Sequence, residues 1–101
     1  MTRTRLPDRR PNTTIRVPWV QASGATRDVL VTVGWEGRHI REVFTSDFKA
    51  GSDQVAIVTD TCILISQLLQ RGYILDEMVD SMCEPPSLIG TIIKAMVEEQ
   101  K

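Results

Sequence analysis

Residues 54–72, QVAIVTDTCILISQLLQRG, form a long apolar run, and how they fold decides the architecture. Their many β-branched side chains suit a buried strand, but the length of the run suits a helix. Helical spacing also sorts the apolar residues. Val55, Val58, Cys62, Ile65 and Leu69 recur at intervals of three and four, the spacing of a buried seam, and Ile57, Leu64 and Leu68 form a second stripe beside it. The residues just before the run are those a helix needs in order to start. In KAGSD, residues 49–53, Gly51 frees the turn, the Ser52 hydroxyl can cap the first amides, and Asp53 complements the positive end of the dipole. Gly72 ends the helix as a left-handed cap. One stripe can cover a sheet. The other then needs either the later helices or a second subunit.

Upstream the period changes to two. TTIRVPWV, residues 13–20, sets Ile15, Val17 and Trp19 on one face and Arg16, Pro18 and Val20 on the other. Pro18 has no N–H to give a ladder, which marks an edge strand. VLVTVGW, residues 29–35, offers Val29, Val31 and Val33 to one face, and a Glu-Gly turn leads into RHIREVFTS, where Ile40, Glu42 and Phe44 alternate with Arg41 and Val43. Downstream, ILDEMVDSM reads as a short helix with Leu75, Met78, Val79 and Met82 inward. A final helix begins near Ser87, with Ile89, Ile92, Ile93, Met96 and Val97 on its apolar face. The expected fold is α+β: a three-stranded antiparallel sheet followed by two to three helices, the longest packed on the sheet. Residues 1–12 are expected to be a basic extended arm, and residues 13–101 a single domain.

The 101 residues are 42% apolar and 25% charged, an ordinary globular composition, with no run long enough to cross a bilayer. The arginines of MTRTRLPDRR have no hydrophobic segment behind them, so a cytoplasmic location is expected. The net charge of −1 is unevenly spread: residues 1–52 carry 9 basic and 5 acidic side chains, residues 53–101 carry 3 and 8. A basic arm joined to an acidic half points to an arm that meets phosphate or the acidic surface of another subunit.

Little here resembles catalytic machinery. His39 is the single histidine, and Cys62 and Cys83 are too far apart in sequence for a CxxC pair, so neither a Cys/His metal site nor an oriented nucleophile is expected. No catalytic residue, metal or cofactor is predicted. The candidate site is the corner formed by Lys49, Gly51, Ser52 and Asp53, where free helix amides and a lysine could bind an anion or nucleotide phosphate. Asp53 opposes that, because its carboxylate already occupies the dipole, and a plain helix cap explains three of the four residues. Arg3, Arg5, Arg9 and Arg10 form a second candidate, a basic arm for nucleic acid, although the few aromatics offer little base stacking.

The segments LPDRRPN, VTVGWEGRHIREVFTSDFKAGSD, DTCILISQLLQRGY and PPSLIGTII together resemble the TSCPD domain over residues 5–97. EVF, KAGSD and LISQLLQRG carry most of the likeness. That domain occurs towards the C-terminus of vitamin B12-dependent ribonucleotide reductases and as short stand-alone proteins, which this chain resembles more closely. The reductases use a cobalamin radical and active-site cysteines in a barrel that has no counterpart here, and their close pair of tail cysteines is also lacking. The resemblance therefore implies a non-catalytic accessory or regulatory module, not an enzyme by itself, acting through protein contacts or by binding a nucleotide or anion. The expected partners are a second copy in a homodimer and a ribonucleotide reductase or other protein. The alternatives are a nucleic-acid-binding protein that uses the arginine arm, or a component of ribonucleotide reduction. No membrane association is expected.

Overall fold

A computed structural model describes residues 11–21, 23–45 and 53–101. Strand β1 spans Asn12–Val20, β2 Thr26–Glu36 and β3 His39–Phe44, followed by helices α1 (Asp53–Gln70), α2 (Leu75–Asp80) and α3 (Leu88–Gln100). The sheet order is β1-β2-β3, antiparallel throughout, so the architecture is the α+β one expected, with three helices.

The β1–β2 ladder runs unbroken from Asn12↔Gly34 to Val20↔Thr26. It aligns Ile15 with Val31 and Val17 with Val29, which stack the β-branched side chains on one face, where Val17, Val29, Val31 and Val33 are buried. The opposite face is wet, with Thr14 and Thr32 hydroxyls 3.1 Å apart and Arg16 set 3.9 Å from Asp28. The hairpin from β2 to β3 turns on Gly37 at φ +62°, while Arg38 keeps φ negative, the pattern of a type II′ turn.

The third strand departs from strict alternation. Gly34 pairs with Glu42 and Trp35 with Ile40, which leaves Arg41 as an extra residue, a β-bulge. The bulge shifts the parity of everything after it. Ile40 and Val43 both turn into the core, and Phe44, expected on the face of Ile40, is exposed.

The inserted residue also helps to bind α1 to the edge of the sheet. The Val43 N–H donates to Ser66 Oγ at 3.0 Å, and the Ser66 hydroxyl donates back to the Val43 carbonyl at 3.2 Å. Gln70 Nε2 donates to the Arg41 carbonyl at 3.2 Å, and Arg41 Nη1 donates to the Leu69 carbonyl at 2.9 Å. From α3, Gln100 Oε1 accepts from the Ile40 N–H at 2.7 Å. A residue of an antiparallel strand points its N–H and C=O to the same side, so Val43 turns both away from β2 and towards α1. The outer edge of β3 is thereby closed by helix side chains.

Val58, Cys62, Ile65 and Leu69 of α1 are buried in one core with Leu75, Leu88, Ile92, Ile93 and Met96. Four of the five seam residues read from the sequence thus form the inward face, and Val55 is half-buried. Gly72 takes φ +93°, Tyr73 N–H donates to the Leu68 carbonyl and Gly72 N–H to that of Leu69, a Schellman ending. Ser87 caps α3 by accepting from the Gly90 N–H at 3.1 Å. No helix among the described residues is long and apolar enough to cross a membrane.

Ser66→Ala strands a buried N–H and a buried carbonyl, and is expected to lower unfolding stability by about 1–3 kcal/mol. Thr91→Ala, which removes a hydroxyl bonded to its own helix at Ser87, is expected to stay within about 0.5 kcal/mol. Urea denaturation at fixed protein concentration compares the two; equal effects would mean that the clamp contributes nothing.

Candidate functional site

The outer side of α1 breaks the rule that a surface helix is polar on its solvent face. Ile57 is 64% exposed, Leu64 60% and Leu68 38%, with Ile63 beside them. The later helices therefore leave the second stripe uncovered. Helix formation here follows from the inner seam rather than from propensity, because a stretch with this many Ile, Val and Thr residues gains its stability from packing. Thr61 lies between Ile57 and Leu64 on the same side. Its hydroxyl donates to the Ile57 carbonyl at 2.7 Å, so the group is satisfied within the helix. Ile57, Thr61, Leu64 and Leu68 thus stand at intervals of four, three and four. Asp53 precedes this strip, Asp60 lies within it beside Thr61, and Arg71 follows its C-terminal end. Past the helix, Tyr73 and Ile74 are also exposed.

The corner proposed from sequence is only partly in view. Lys49, Gly51 and Ser52 lie outside the described residues, as do Arg3, Arg5, Arg9 and Arg10. Asp53 is described: it opens α1, exposed, in the first turn where a carboxylate favours the dipole. His39 is exposed beside the hairpin, opposite Glu36. Cys62 is buried in the core, and loss of solvent pushes its thiol up from the ordinary range, which keeps it protonated and unreactive. Cys83 is exposed in the loop before α3. Among the described residues no group of three His, Cys, Asp or Glu side chains could hold a metal ion.

Two clefts flank the sheet. One, of about 270 Å³, is lined by His39, Arg41, Tyr73, Ile74 and Gln100. Two of its polar groups are committed to the fold: Arg41 bonds the Leu69 carbonyl and lies 3.8 Å from Glu36, and Gln100 holds the Ile40 amide. The other, of about 780 Å³, lies between Pro18, Trp19, Pro85, Pro86 and Leu88 and has no charged lining. Neither assembles an acid, a base and a nucleophile. Apart from these two clefts, α1 presents an apolar outer face on a helix bonded to the sheet.

Sequence reasoning identified three of the four outward apolar residues of that face, but not Ile63, and it passed over Ser66. A serine one helical turn from Cys62 and next to buried Ile65 is a polar residue on an apolar face, and that was the available signal.

A family model described as the TSCPD domain matches residues 2–97. No curated protein and no solved structure matches the chain.

The two thiols should separate cleanly. In the native protein Cys83 is expected to be alkylated rapidly by iodoacetamide and Cys62 only on unfolding, which mass spectrometry of timed samples reads. Comparable rates at both would mean that the core around Cys62 opens.

Proposed function

This chain belongs to the TSCPD domain family, and from that premise we propose that it is a non-catalytic, ribonucleotide-reductase-related accessory module that acts through protein contacts. The observation that supports this reading is the exposed stripe of Ile57, Leu64 and Leu68 on a helix whose inner face is locked to the sheet. Exposing these side chains in the free chain has a cost, since covering each fully is worth roughly 1.5–3 kcal/mol. A contiguous apolar strip with polar neighbours is the usual mark of an interface. In this reading the domain supplies a surface, and any chemistry belongs to its partner.

Anion or nucleotide binding at Lys49, Gly51, Ser52 and Asp53 is the competing role for the same module. The two differ in what ligands do to stability. A nucleotide present at a hundred times its Kd would raise stability by about 2.7 kcal/mol. The protein-contact reading expects ATP, dATP and the other nucleoside triphosphates to leave the thermal midpoint unchanged in scanning fluorimetry. A rise with any of them that disappears in Lys49→Ala would transfer the role to the corner before α1.

A further inference from the structure

We infer that the outer face of α1 is the site of self-association, and that it packs antiparallel against the same face of a second copy. The inference rests on the protein-contact reading above and names the partner. Three features of the molecule converge on it.

The first is spacing. Ile57, Thr61, Leu64 and Leu68 are separated by four, three and four residues, the interval of alternating core positions in a two-helix seam. A partner of unrelated shape does not require this repeat. A second helix with the same repeat fits it directly. Turned head to tail, the seam is self-complementary: Ile57 meets Leu68 of the partner subunit, Thr61 meets Leu64 of the partner subunit, and a two-fold axis relates the pairs. Thr61 adds no unsatisfied group at the centre, because its hydroxyl is bonded to the Ile57 carbonyl.

The second is charge. Asp53 precedes the strip at one end and Arg71 follows it at the other, while Asp60 lies within it beside Thr61. A parallel pair would align Asp53 and Asp60 with the partner's Asp53 and Asp60, a like-charge arrangement. The antiparallel pair brings Asp53 of each helix towards Arg71 of the partner subunit and opposes the two helix dipoles.

The third is that the β3 edge is closed to strand pairing with a second copy. At β3 the outward Ile40 and Val43 amides and the Arg41 and Val43 carbonyls are bonded by Gln100, Ser66 and Gln70, so no strand of another chain can pair there. Strand β1 carries Pro18, which withholds an N–H from any ladder.

Light scattering coupled to size exclusion tests this at micromolar concentration. The expected mass is twice that of the 11.4 kDa chain, falling to one chain in Leu64→Glu. Leu64 is largely exposed in the single chain, so the variant should keep its circular dichroism spectrum and cooperative unfolding. Orientation is read by oxidation in a Cys83→Ser background. Ile57→Cys mixed with Leu68→Cys should form a disulfide between the two variants, and neither variant alone should form one. Disulfides within Ile57→Cys alone would overturn the antiparallel register. A wild-type mass of 11.4 kDa would overturn self-association altogether, while the accessory reading would survive with a different protein on the same face.

Discussion

The bond pair between Ser66 and Val43 is the constraint from which the rest of the arrangement follows. One hydroxyl satisfies both polar groups of one strand residue, at 3.0 and 3.2 Å, inside the core. Hydrophobic packing alone would hold α1 near the sheet but would let it roll about its axis, since the helix is apolar on two sides. A directed pair of hydrogen bonds removes that freedom. With Ser66 aimed at Val43, the stripe of Val58, Cys62, Ile65 and Leu69 must face the core, and Ile57 and Leu64 must face out. The choice between two nearly equivalent apolar faces is therefore made by a polar contact.

The bulge at Arg41 makes that contact fit. Without an extra residue, strict alternation from Ile40 would bury Phe44 and turn Val43 to the wet face. The inserted position lets Ile40 and Val43 share the core and frees Arg41 to reach the Leu69 carbonyl at the end of α1. Strand irregularity and helix termination are thus two parts of one joint. Gly72, at φ +93°, lets the chain leave the helix just beyond it.

Much of this was legible in the sequence, because it depends on local periodicity. Alternation in residues 13–20 and 29–35, the seam of α1, the glycine after Arg71 and the serine before α3 each report on a neighbourhood of a few residues. The bulge was not legible, since nothing in RHIREVF distinguishes six paired residues from five paired and one inserted. That distinction exists only against β2. The polar links from Ser66, Gln70 and Gln100 were hidden for the same reason, as each joins residues distant in sequence. For the candidate site, the second stripe could be read as needing a partner, but whether α2 and α3 supplied it depended on tertiary geometry. Of the corner from Lys49 to Asp53, the described residues include only Asp53.

The closed edge of β3 bears on where such a domain can be carried. A small sheet with an open strand is hazardous to its neighbours, because any extended segment can add to it and nucleate aggregation. Here the polar groups at the outer edge of β3 are spent on the domain's own helices, and the opposite edge strand carries a proline, which has no N–H to give. A unit of this kind keeps the backbone of its β3 edge from its neighbours. Joined to a larger chain or left on its own, it offers its surroundings side chains to recognise, which leaves sequence change on one helix face free to alter partners without disturbing the sheet.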